Sequence, residues 1–144
     1  KNWLGSPLST GNVNVYEERP DRAYLGYIDG GVYIMDISDK SNPKVISNWN
    51  PHNPYPGFSH TALPLFDRDL IIVSDECIKD DGADWPKLTW VLDARNEKNL
   101  VPISTLPLPP VPHFDKRSTK VKVSGFGIQP LVQAQVQQLP CRLK

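Results

Sequence analysis

The sequence predicts an all-β fold built of short antiparallel strands. Fifteen prolines and nine glycines are scattered between brief apolar runs instead of gathering in one tract, which favours many turns over long helices. The runs themselves are rich in β-branched and aromatic residues. The stretch from Val32 to Trp49, VYIMDISDKSNPKVISNW, shows the pattern in full. An apolar run closes on Asp36, a polar turn follows through Ser38, Asp39, Ser41, Asn42 and Pro43, and a second β-rich run starts at Lys44.

Taken in order, residues 1–22 form a polar lead-in with Gly5, Pro7 and Gly11, in which Val13 and Val15 between asparagines mark a candidate edge strand. Ala23 to Asp29 reads as strand. The Asp29-Gly30 pair behind it is a hairpin signal, so this strand is expected to pair antiparallel with Val32 to Ile37. Both alternating sets of the second strand are apolar, which predicts cover on both faces. With Lys44 to Trp49 these make a three-stranded meander. Asn50 to Phe58 is too rich in proline for a central strand. Strands resume at Ser59 to Phe66, Leu70 to Glu76 and Leu88 to Ala94, with an acidic insertion over Cys77 to Lys87, and a further turn and strand lie within Arg95 to Pro107.

An internal repeat links the two halves. Sliding VYIMDISDKSNPKVIS onto TWVLDARNEKNLVPIS superposes Asp36 on Asp93, Asn42 on Asn99, Ile46 on Ile103 and Ser47 on Ser104, each 57 positions apart. Without the insertion the period falls to about 45 residues, the length of a four-stranded propeller blade. On these residues the region 23–110 resembles bacterial LVIVD-repeat proteins. The resemblance implies a β-propeller on exported or cell-surface proteins, with no agreed activity. About two blades are expected, an incomplete ring whose sheet edges and one apolar face stay open, so a partial chain or self-association of copies is expected. Residues 111–144 lose the repeat; a disordered end, a short helix around Leu131 to Leu139 and a shifted reading frame all suit them.

Composition bounds the function. Sixteen basic residues balance sixteen acidic ones in a chain of 144, so nothing steers it toward nucleic acid. No stretch reaches the ~20 continuous apolar residues of a membrane helix, and no signal peptide is visible. Cys77 and Cys141 have no metal or redox spacing and read as two free thiols, Cys77 as a structural one. The Asp80-Asp81-Gly82-Ala83-Asp84 segment does not match a calcium loop.

Chemistry is sought first at His60, which opens a strand behind the proline-rich loop, with Glu76 at the end of the next strand. Imidazole and carboxylate make an acceptable partial ligand set for a divalent metal. His52, Tyr55, Phe58 and Trp85 lie in loops and are candidates for contact with a protein or small ligand, because aromatic residues are over-represented at binding surfaces. His113 receives no role. The leading expectation is therefore a propeller-repeat module acting as a binding or interaction scaffold. The alternative is part of a metal-dependent propeller enzyme of oxidoreductase type, as resemblance to selenium-binding and methanethiol-oxidising proteins implies. A purely structural repeat for cell-surface assembly is the third reading.

Overall fold

A computed structural model describes residues 10–52, 54–55, 57–78 and 87–107. The tail 111–144, the acidic segment around Asp80, Cys141, His113 and Trp85 lie outside the described residues. Among the described residues eight strands form two four-stranded antiparallel meanders. Sheet 1 comprises β1 (Val13–Tyr16), β2 (Arg19–Gly26), β3 (Val32–Asp36) and β4 (Lys44–Trp49), paired in that order. Sheet 2 comprises β5 (Ser59–Leu65), β6 (Leu70–Asp75), β7 (Thr89–Asp93) and β8 (Val101–Thr105), with a 3-10 turn at Phe66–Arg68 between β5 and β6. The all-β expectation holds among the described residues, which contain no α-helix.

The first sheet is complete where three strands were expected. The alternating piece around Val13 supplies β1, and its partner strand starts at Arg19, before the expected Ala23. That strand also stops at Gly26 and not at Asp29. Ile28 turns away at φ 50° and exchanges two backbone hydrogen bonds with Ser59 of sheet 2, both 3.0 Å, so it pairs with the other sheet. The connection is therefore a five-residue loop closed by Tyr27 N–H on the Gly31 carbonyl at 2.7 Å, in place of a two-residue Asp-Gly hairpin. The antiparallel pairing of β2 with β3 is as expected. In β3, Val32, Tyr33 and Ile34 are all buried although they alternate between faces, so the middle of this sheet is covered on both sides.

The repeat reappears as hydrogen-bond register. Five successive pairs from Arg22–Asp36 to Gly26–Val32 match Leu70–Asp93 to Ser74–Thr89. The bulge after Ile34 in the β3–β4 ladder recurs after Val91 in the β7–β8 ladder, 57 residues on. The turns repeat too. Asp36 accepts from the Ser38 amide at 2.9 Å and Asp93 from the Arg95 amide at 3.0 Å; Asp39 and Asn96 do the same for the amides of Ser41 and Lys98. A short acceptor two residues ahead of an unpaired amide closes each turn locally. The longer β6–β7 connection is the insertion seen in the sequence.

The sheets pack face to face, and unsymmetrically. Tyr24, Val32 and Ile34 of sheet 1 share one buried cluster with Ala62, Ile71, Val73, Trp90 and Leu92 of sheet 2. By register, Tyr24 corresponds to Ile72 and Ile34 to Val91, yet Ile72 and Val91 lie on the opposite face of sheet 2, in a separate cluster with Leu63, Leu65 and Leu70. The front of sheet 1 thus meets the back of sheet 2. Side-chain alternation leaves no other arrangement, since consecutive strand residues point to opposite faces.

Two devices hold this contact. Gly26 and Gly11 let the two backbones touch: a Cβ on Gly26 would stand 2.1 Å from the His60 carbonyl oxygen, and one on Gly11 2.4 Å from it. At the other end of β2, Glu97 of the β7–β8 turn accepts from Arg19 at 2.8 Å and from Arg22 at 3.2 Å. Beside this clasp a charged cleft of about 540 Å³ opens between the sheets, lined by Arg22, Asp36, Arg95 and Lys98.

Candidate functional site

The proline-rich loop, the start of β5 and the end of β6 converge at the end of the sheets where Gly26 meets His60. Beneath the loop lies a buried polar frame. On β6, Ile71, Val73 and Asp75 alternate onto the same core-facing side, so the strand places a carboxylate where its neighbours place hydrocarbon. Asp75 is 4% exposed. Ser59 Oγ donates to one of its oxygens at 2.9 Å and Trp90 Nε1–H to the other at 3.0 Å. Burial pushes this carboxyl above the usual aspartate range; the bonds from Trp90 and Ser59 and the charge of Lys87 pull the other way. Lys87 is itself buried, and its Nζ donates to the Gly57 carbonyl at 3.0 Å and lies 5.7 Å from the Phe58 ring centroid.

Gly57 and Phe58 both have left-handed backbones, φ 72° and 75°. Glycine adopts this freely, but for a bulky phenylalanine it is an outlier of the kind that clusters at working loops. The Phe58 carbonyl accepts from the Glu76 amide at 2.9 Å, which ties the loop to the end of β6. The His52 ring packs against Gly57, where any Cβ would come within 2.8 Å of its Nδ1. Tyr55 stands on this base, 44% exposed, with its ring T-shaped to Trp90 at 4.9 Å; Trp49 of sheet 1 also meets Trp90, at 5.2 Å.

The expected pair of His60 and Glu76 is brought together: Nε2 and Oε2 are 3.5 Å apart, both side chains about one-fifth exposed. His60 Nδ1 lies 3.1 Å from Thr61 Oγ1, and the same hydroxyl oxygen accepts from Asn12 Nδ2 at 3.1 Å. A hydroxyl oxygen has two lone pairs, so Thr61 Oγ1 can accept from Nδ1–H beside the Asn12 bond or donate to a bare Nδ1, and either ring tautomer fits this contact. A metal at Nε2 needs the tautomer with the proton on Nδ1. The 3.5 Å separation suits two donors that each lie ~2.0–2.2 Å from one ion, but among the described residues no third His, Cys, Asp or Glu completes a metal-binding group.

Of the six residues singled out in the sequence, five therefore gather at one end of the fold. Among the described aromatics Tyr55 is the exposed one, whereas Phe58 is half-buried beside Lys87. Sequence reasoning passed over Ser59, Lys87 and Trp90, and took Asp75 only as a strand-end carboxylate beside Glu76, without its burial. The available signal was the alternation Ile71, Val73, Asp75, which places an acid in line with a core face. Comparison with protein-family models, with curated proteins and with solved structures gave no match to this chain.

Proposed function

We propose that the two sheets are consecutive blades of a β-propeller of the LVIVD-repeat type, and that the chain is a binding scaffold presenting the loop around Tyr55. The observation that carries this reading is the front-to-back packing of two sheets with the same register. A contact in which each unit uses a different face can be repeated indefinitely, and it closes into a ring when the rotation allows. Equivalent positions on the first strands, Asn12 and Thr61, are hydrogen-bonded side by side, as neighbouring positions around a channel would be.

The loop supports the binding part. Tyr55 offers an amphipathic ring on a base of Trp90 and the Asp75 frame, so it costs little ordering entropy on contact. Arrays of peptides and oligosaccharides are expected to yield ligands retained by the native chain and lost by Tyr55→Ala, with the melting midpoint nearly unchanged. No ligand, or equal retention by both proteins, would refute the reading.

The 3.5 Å approach of His60 to Glu76 supports a second reading, part of a metal-dependent enzyme whose remaining ligands come from elsewhere. Elemental analysis of the native protein and His60→Ala distinguishes them: stoichiometric metal lost in the variant favours the enzyme, and none in either favours the scaffold.

A further inference from the structure

The clasp end of the sheet contact, opposite the Tyr55 loop, has its own concave surface. An inner cavity of about 130 Å³ lies between the sheets, walled by Tyr24, Ile34, Phe66, Leu70 and Ile71. It shares Arg19, Asp69, Ala94 and Glu97 with the charged cleft of about 540 Å³, so the two adjoin. The inner part approaches the ~150 Å³ of an apolar cavity that holds benzene, which limits an occupant there to one ring or a short branched chain.

Tyr24 points to the occupant. The residue is 2% exposed, and its hydroxyl has no hydrogen-bond partner among the described residues. Buried polar groups are seldom left so. The oxygen is not sealed in the core, as the Ser47 hydroxyl is, and it opens into the cavity that its ring lines. Burial raises the pKa of the phenol, Glu97 adds to the rise, and Arg19 and Arg22 oppose it, which places the oxygen toward the clasp. In the outer cleft most charges are engaged. Glu97 accepts from Arg19 and Arg22, Asp36 from the Ser38 hydroxyl, and Arg95 is held by Asp93 and feels the charge of Asp69. Lys98 is exposed, and its ammonium has no ion pair among the described residues. The two groups left over, the Tyr24 hydroxyl and the Lys98 ammonium, can both donate.

We propose that this cleft binds a small monocarboxylate whose apolar body, one ring or a short branched chain, packs against Ile34, Phe66 and Ile71 while its carboxylate takes the donors of Tyr24 and Lys98. Apolar walls with a few placed polar groups are the usual make-up of a small-molecule site. One cation without a partner suits a single negative charge, and Glu97 on Arg19 and Arg22 shows that a carboxylate fits this end of the fold. The site is separate from the Tyr55 loop and does not rest on the scaffold reading.

Titration of the full chain with phenylacetate and isovalerate, followed by amide chemical shifts in NMR spectra, tests this. Saturable shifts are expected in β2, β6 and the β7–β8 turn, with phenylacetamide about tenfold weaker because it lacks the charge. Tyr24→Phe is expected to weaken phenylacetate about tenfold and Lys98→Gln about threefold. Both variants should keep the native melting midpoint, since neither group bonds to the protein. Tyr55→Ala is expected to bind phenylacetate as the native chain does, which keeps this outcome apart from the loop reading. The proposal is overturned if neither acid shifts these residues, which would leave only water on the Tyr24 hydroxyl. Equal binding of phenylacetamide, preferential binding of phenethylamine, equal shifts from inorganic phosphate, or undiminished binding in both cleft variants would overturn it as well.

Discussion

Gly26→Ala probes the sheet contact with a single methyl group. The residue does not have a positive φ, so alanine fits its backbone, and any cost comes from what the methyl meets. It would meet backbone: the His60 carbonyl oxygen at 2.1 Å, its carbon at 2.3 Å and the Thr61 nitrogen at 2.7 Å. Ordinary contact begins at 3.4 Å, so β5 must retreat by roughly 1.3 Å, the difference between 3.4 and 2.1. That retreat stretches the bond from the Asn12 amide to the His60 carbonyl, now 2.9 Å, and the paired bonds of Ile28 and Ser59. Each is worth about 1 kcal/mol, and overpacking adds about 1–3 kcal/mol. A loss of about 3 kcal/mol is expected, a large part of the ~5–15 kcal/mol that stabilises a domain. Urea denaturation followed by the fluorescence of Trp49 and Trp90, which meet across the sheets, measures it. The sign is the decisive part. At a permissive site with room, Gly→Ala stabilises by about 0.4–1 kcal/mol through the unfolded chain, so an equal or more stable variant would refute the close approach of the sheets.

Three further outcomes follow from the buried frame, the clasp and the repeat. Asp75→Ala leaves the Trp90 N–H and the Ser59 hydroxyl without their acceptor beside a buried Lys87, and is expected to cost about 2–4 kcal/mol in denaturant titrations. Asp75→Asn separates charge from bonding: burial raises the folded pKa of Asp75, so its contribution is greatest below the ordinary aspartate value and is lost as pH rises through the raised one. The native protein should therefore lose stability relative to the Asp75→Asn variant across that window, and a constant difference between the two would contradict the assignment. Glu97→Ala removes the shared acceptor of Arg19, whose side chain is 40% exposed, and Arg22, 18% exposed, and should cost about 1 kcal/mol, less in high salt, by thermal melting. Ile46→Ala should cost about 1–2 kcal/mol and Ile103→Ala under about 0.5 kcal/mol in denaturant titrations, although the two residues occupy the same place in the repeat.

Much of this fold was legible because strand grammar is local. The pairing of β2 with β3, the Asp36 turn and the 57-residue repeat all follow from residues close in sequence, and the structure returns them in place. The misjudged ends have a single cause. β2 stops at Gly26 because Ile28 is recruited by Ser59, 31 positions away, and no local propensity registers a partner so distant. β1 was visible as an alternation, but as an isolated edge it looked optional until the sheet needed a fourth strand. His60 and Glu76 were read as neighbours from strand order alone, and they are. The Asp75 frame and the Glu97 clasp were not read, since burial of an acid and an ion pair spanning 78 positions depend on which faces meet. The repeat shows that the halves are alike; only packing shows that front meets back.

That front-to-back contact is tested most directly by nuclear Overhauser contacts in solution. The indole protons of Trp49 and Trp90, with centroids 5.2 Å apart, belong to different sheets, and the ring protons of Tyr24 and Phe66, 5.9 Å apart, link sheet 1 to the turn between β5 and β6. Cross-peaks within both pairs are the expected result. Their absence, in spectra where the cross-strand contacts inside each sheet are present, would mean that the two sheets form but do not pack in this way.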